Sequence, residues 1–287
     1  MPQLHRRALL RHLSAGAFGL AAWPTLAQTA APRLITIGGA ITEVVYALGA
    51  EAQLVGTDTT SLYPAAALAT PKVGYMRTLS AEGLLSLRPD AVIGTTEAGP
   101  PVVLDQLRSA GVRVELIVAD HSWAEVQRKI AAVGRGAGRE AQARALQSRL
   151  DADWATVQQA VAQRNGRKPR VLFILAHGAS PQVAGSNTAA DAMLRFAGGT
   201  NVMTGFQGYR PMTAEAMAAA APDVVLTTTQ GIEAQGGVDK FWARPELALT
   251  PAFKRKSLVH LDALELIGFG PRLPATVRTL ADRLTAG

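Results

Sequence analysis

The chain has 287 residues, 48% of them apolar, no cysteine and a formal net charge of +7. That is enough apolar material for a sizeable core, in one large domain or two small ones. Aromatic residues make up only 5%, too few for a base-stacking surface, so nucleic acid is a poor partner despite the positive charge.

The N-terminus accounts for part of that charge. Met1 to Arg11 carries Arg6, Arg7 and Arg11 and no acid. An apolar run from Ala15 to Trp23 follows, then Thr25-Leu26-Ala27. This is the layout of a secretory signal peptide over residues 1–27, and Arg6-Arg7 also permits a twin-arginine route. Cleavage after Ala27 would lower the net charge from +7 to +4. Without cysteine no disulfide is expected, nor a lipid at the leader's end. No later apolar run is long enough to span a bilayer, so a periplasmic protein without a membrane anchor is expected.

The mature sequence opens with the strand Leu34–Ile37, ending at Gly38-Gly39, and a helix over 41–48 with Thr42 near its start. Short strands follow at 54–56, 91–94 and 112–117, with helical segments at 81–87 and 102–110. This alternation predicts a parallel sheet covered on both faces. Beyond Ser122, helical spacing runs through Val126, Ile130 and Val133, and Gly134, Gly136 and Gly138 are expected to interrupt it. A long helix is predicted from Arg139 to about Gln163, spanning roughly 35 Å at the usual rise per residue. The polar turn 164–169 stops it, and the strand Val171–Leu175 starts a second βα series.

The second series repeats the first. Residues 79–96 align without a gap to 212–229, with seven of 18 positions identical. Each copy reads as a hydroxyl N-cap (Ser80, Thr213), a short helix, a Pro-Asp turn, a buried strand and a Thr-Thr strand end. The expected architecture is α/β: an N-terminal lobe (33–138), an inter-lobe helix (139–165) and a C-terminal lobe (169–287). Ligands in such sheets sit beyond the carboxyl ends of the strands. The segments facing the cleft are then Gly38–Thr42, Gly74–Thr78, Thr95–Pro100, His177–Asn187, Gly205–Pro211 and Thr229–Gly236.

Three candidates stand out. Tyr75 lies in a loop beside Gly74, just before the helix of the first repeat. A tyrosine oxygen can ligate ferric iron, and Arg77 could support the phenolate by charge. A turn tyrosine covering the sheet edge is the competing reading. Of five histidines only His177, after the first strand of the second lobe, is placed as a cleft-facing imidazole. A histidine hydrogen-bonded at a strand end is its ordinary alternative. Glu82 and Glu215 are matched in the repeat, each two residues after its cap. The helix dipole favours glutamate there, and the same symmetry puts one carboxylate on each lobe's rim, suited to basic residues on a partner. A P-loop, Gly-x-Gly-x-x-Gly after a strand, His-Glu-x-x-His and Gly-x-Ser-x-Gly are all missing. Free zinc or manganese would want several converging His and carboxylate ligands.

With these features in place, the chain resembles the periplasmic haem-binding proteins of haem ABC importers, within the vitamin B12 and siderophore group of solute-binding proteins. The segments that carry the resemblance are 73–83, 177–185, 187–193 and 268–272. It implies a class III periplasmic-binding-protein-like fold, a monomer, and no enzyme activity. It also implies ferric haem b as transported ligand, singly or as two stacked haems. Tyr75 would be the axial ligand, supported by Arg77, with His177 a second-lobe ligand. Gln230 stands where some relatives have an arginine and offers a neutral contact. Glu82 and Glu215 match the carboxylates that dock such proteins onto the membrane permease. Arg77, Arg210 and Arg272 are candidates for the haem propionates by charge alone. A siderophore or corrinoid ligand is the alternative, and a two-lobed periplasmic enzyme a more distant one.

Overall fold

A computed structural model describes residues 31–176 and 181–285 of the chain. The leader predicted over 1–27 and His177 lie outside the described residues.

The first lobe comprises β1 (Leu34–Thr36), α1 (Gly39–Ala47), β2 (Leu54–Thr57), α2 (Ala81–Ser86), β3 (Ala91–Thr95), α3 (Pro101–Ser109), β4 (Arg113–Ile117) and α4 (Trp123–Ala137). Its sheet is parallel throughout, in the order β2-β1-β3-β4. Burial on both faces explains why β1 and β3 are buried at every position. The long helix α5 (Glu140–Ala162) follows.

The second lobe comprises β5 (Arg170–Leu175), β6 (Gln182–Ala184), α6 (Ala189–Phe196), β7 (Thr200–Asn201), β8 (Tyr209–Pro211), α7 (Ala214–Ala220), β9 (Val224–Thr228), α8 (Thr229–Ala234), α9 (Val238–Trp242), α10 (Pro251–Arg255), β10 (Leu258–Leu261), α11 (Ala263–Ile267) and α12 (Leu273–Thr285). Its sheet order is β10-β9-β5-β6-β8, with β7 beside β5. Here β6 and β8 run antiparallel, so the sheet is mixed. The fold is therefore two βα lobes joined by α5.

The repeat holds down to its caps. Ser80 Oγ accepts the Gly83 N–H at the start of α2, and Thr213 Oγ1 accepts the Ala216 N–H at the start of α7. Each satisfies one of the N–H groups that a helix start leaves unpaired. The strands that follow, β3 and β9, are buried along their whole length.

Two helix ends differ from the sequence expectation. Thr42 does not cap α1; the helix starts at Gly39, and the buried Thr42 hydroxyl bonds instead to Thr36 and Ser61. Gly134 and Gly136 do not interrupt α4, which runs through both to Ala137. A Cβ on Gly134 would stand 2.5 Å from Ala143 Cβ, and one on Gly136 2.6 Å from Ile93 Cδ1. These glycines let α4 pack against α5 and β3. Only Gly138, at φ +64°, ends the helix.

The lobes share one core rather than meeting at a thin hinge. Leu34, Ile130, Leu150, Phe173 and Leu280, from β1, α4, α5, β5 and α12, belong to one buried cluster. Aromatic rings continue it across the lobes. Trp123 stacks on Trp154 at 5.0 Å between centroids, Trp154 meets Phe196 edge-on at 4.9 Å, and Phe196 neighbours Phe269.

Candidate functional site

In the first sheet β1 and β3 are neighbours whose chains then leave in opposite directions. Such a switch point opens a crevice at the carboxyl ends of the strands. Two loops border it, one leading from β2 to α2 and carrying Tyr75 and Arg77, the other leading from β3 to α3 and carrying Glu97.

The first loop is held rigidly. Asp58 Oδ1 accepts from the Gly38 N–H and the Ser61 hydroxyl, while its other oxygen accepts from the Thr60 N–H and hydroxyl. Lys72 Nζ donates to Thr57 Oγ1, Ser61 O and Ala67 O, closing the excursion from inside. The Thr59 N–H donates to Gly74 O, and the Thr78 N–H donates to Tyr75 O. Gly74 itself sits at φ +103°, where a side chain is strained, so glycine is required immediately before Tyr75.

On this base Tyr75 stands 42% exposed, a large ring left open although its loop is fixed. Arg77 Nη1 donates to its hydroxyl at 3.5 Å, and Arg77 Nη2 donates to Glu97 Oε1 at 2.6 Å. Burial pulls the Arg77 guanidinium down, but Glu97 and Tyr75 outweigh it and raise it above its ordinary value. Arg77 is thus a permanent cation beside a phenol oxygen.

Tyr209, on β8, lies in the segment 205–211 expected to face the cleft but is not singled out by the sequence. Its phenol is pushed up to about 12, first by burial and then by the Glu97 carboxylate, with Arg77 acting in the opposite direction. Tyr209 therefore lies in electrostatic range of the Arg77–Glu97 pair from the other lobe, and it stays a neutral hydrogen-bonding phenol. Its position at the start of a three-residue strand gave no periodicity by which to find it.

The remaining candidates separate. Arg210 is exposed on β8 with its guanidinium 4.7 Å above the Phe206 ring. Gln230 is engaged at the start of α11, donating to Asp262 Oδ2 and accepting from the Ala263 N–H. Arg272 donates to both Glu43 oxygens and to Glu265, and lies 3.9 Å over the Tyr63 ring. Burial raises the Glu43 carboxyl above its usual range even with this arginine beside it. Arg272 therefore ties the second lobe to α1 of the first. Glu82 and Glu215 are exposed in the first turns of α2 and α7. Among the described residues no cluster of His, Cys, Asp and Glu could hold a free metal ion, and no helix is long and apolar enough to cross a membrane.

Residues 34–264 match the family model described as periplasmic binding protein. Among solved structures, the periplasmic heme-binding protein BhuT in complex with two hemes is 49% identical, with a TM-score of 0.84 over 89% of this chain and 98% of that one. The periplasmic heme-binding protein RhuT from Roseiflexus sp. RS-1, in apo form, is 38% identical, again with a TM-score of 0.84 and the same coverage. Among curated proteins, the ABC transporter substrate-binding lipoprotein YvrC of Bacillus subtilis is 27% identical over 255 residues, 88% of this chain and 79% of that protein.

Proposed function

The chain belongs to the periplasmic binding protein family, and from that membership we propose that it carries ferric haem in its inter-lobe cleft and delivers it to the permease of an ABC importer. It is a binding protein and not an enzyme. The observation that carries the haem reading is the exposed Tyr75 phenol on its fixed loop, with the Arg77 guanidinium directed at the oxygen. Ferric iron is a hard acid and takes a phenolate oxygen well, and haem proteins with tyrosine as axial ligand use that bond. The arginine can only donate, so it can hydrogen-bond the phenol oxygen that would meet the iron. Two relatives whose described ligand is heme share this architecture over nearly their whole length.

The flat apolar face of a porphyrin suits the exposed Tyr75 ring. Arg210, being exposed, is free to meet a propionate, whereas Arg272 and Gln230 are held by Glu43, Glu265 and Asp262. We assign the second-lobe ligand for a second stacked haem to His177 on sequence grounds. Export to the periplasm is assigned to the leader in residues 1–27.

Titration of the purified protein with ferric haem tests the reading. A shifted Soret band that saturates at one or two equivalents is the expected result. No shift, or displacement of haem by equimolar cobalamin or ferric siderophore, would overturn it.

Delivery to a permease rests on Glu82 and Glu215. Each projects from the first turn of a repeat helix, one per lobe. The double variant Glu82→Ala plus Glu215→Ala is expected to reduce haem import at least about tenfold, as loss of two charge-assisted contacts implies. Haem affinity in solution should not change. Unchanged import would leave the two carboxylates as helix-end residues.

A further inference from the structure

Arg77 has two acceptors of unequal strength. Glu97 Oε1 holds one of its terminal nitrogens at 2.6 Å, while the Tyr75 hydroxyl meets the other at 3.5 Å. The short contact is charge-assisted and fixes the planar guanidinium; the long one follows from that orientation. The two loops that bear these residues are stitched together by the backbone. The Gly99 N–H donates to Met76 O, and the Leu79 N–H donates to Gly99 O. The Ala98 N–H donates to Thr95 O, turning the chain tightly at Glu97. Glu97 and Arg77 therefore belong to one preformed unit.

We propose that Glu97 is a positioning residue for ligand binding, holding Arg77 with one nitrogen on the Tyr75 oxygen and keeping it from turning toward the acidic edge of the ligand. The inference rests on the haem reading only for the identity of that ligand. Its chemistry is a balance of charge. Without Glu97 the guanidinium would turn to solvent or to a ligand carboxylate, and the Tyr75 oxygen would lose its donor, which costs ligand binding. With Glu97 as its partner, the guanidinium satisfies its charge within the protein and presents only a hydrogen-bond donor to Tyr75. A ligand is then recognised through the phenol oxygen, and its carboxylates are left to the second lobe, where Arg210 is exposed.

Two measurements on the full mature chain decide this. In the protein without ligand, the side-chain NMR signal of Arg77, assigned by its loss in Arg77→Lys, is expected to show a guanidinium with hindered rotation. Glu97→Ala should release it and Glu97→Gln should hold it less firmly than wild type. In titrations with ferric haem, Glu97→Ala is expected to weaken binding about fivefold, the scale of one partly exposed ion pair. It should also shift the tyrosinate charge-transfer band, with Glu97→Gln, which keeps the acceptor but not the charge, restoring only part of both. In an Arg77→Ala background, Glu97→Ala should have no further effect. A freely rotating Arg77 in the wild type, or the same weakening with and without Arg77, would overturn the proposal. A wild-type protein that does not bind haem defeats the haem reading alone, since the NMR measurement still decides whether Glu97 positions Arg77.

Discussion

Tyr75→Ala is expected to lower the affinity for ferric haem by about 100-fold or more, a loss of about 2.7 kcal/mol. The Soret position should move toward that of haem bound without a protein ligand. Tyr75→Phe should lose nearly as much, because the ring remains and only the oxygen that bonds iron is gone. The folded protein should scarcely register either change. Tyr75 is 42% exposed, and the loop beneath it is held by Asp58, Lys72 and backbone bonds that do not involve its ring. Stability measured by urea denaturation should stay within about 0.5 kcal/mol of wild type, as for ordinary surface substitutions. This combination separates the ligand role from the competing one of a turn tyrosine covering the sheet edge. A covering tyrosine would show the reverse pattern, with stability lost and haem affinity kept. Affinity within about threefold of wild type in both variants would mean that the iron is held elsewhere.

The features that sequence reasoning found are those written in short stretches of chain. The paired caps Ser80 and Thr213, the Pro-Asp turns and the buried strands after them recur locally, and the structure reproduces each of them. The long helix was equally visible, since its apolar residues recur at helical spacing over six turns. What sequence reasoning misread depends on partners far away in the chain. Gly134 and Gly136 look like helix breakers until Ala143 and Ile93 are seen pressed against them. Arg272 looks like a free cation until Glu43, 229 residues earlier, is found on it. Glu97 and Tyr209 lie in segments expected to face the cleft, 95–100 and 205–211, but nothing local singles them out there, and the Arg77–Glu97 pair forms only when the loops meet in the folded molecule.

The same long-range ties make Lys129→Met a substitution with a large expected cost to stability. Lys129 and Glu125, one turn apart on α4, are each 2% exposed and form an ion pair at 2.6 Å. Burial pulls the Lys129 ammonium down, and Glu125 opposes it. The ammonium also donates to the carbonyls of Gly268 and Phe269, both at 3.0 Å, which belong to the second lobe. Glu125 in turn accepts from the Asp120 and His121 N–H groups ahead of α4. Methionine would fill the volume but leave a buried carboxylate without its cation and two carbonyls without a donor. Breaking a buried pair in this way costs about 3–5 kcal/mol. Guanidinium denaturation should show that loss for Lys129→Met. Adding Glu125→Gln should recover much of it, because a neutral amide oxygen can still accept from Asp120 and His121 without an uncompensated charge. A loss below about 1 kcal/mol would mean that water reaches the site and solvates the carboxylate. The pair also bears on cooperativity. From it the Lys129 ammonium reaches the Gly268 and Phe269 carbonyls of the second lobe, close in the chain to the Arg272–Glu43 tie, and the aromatic chain from Trp123 to Phe269 ends at the same segment. Neither lobe can unfold without exposing the other's core. Wild type and variant should therefore each unfold in a single transition, with the midpoint lowered in the variant and the slope unchanged. Two separate transitions in the variant would show that Lys129 is what couples the lobes, and that the shared core alone does not.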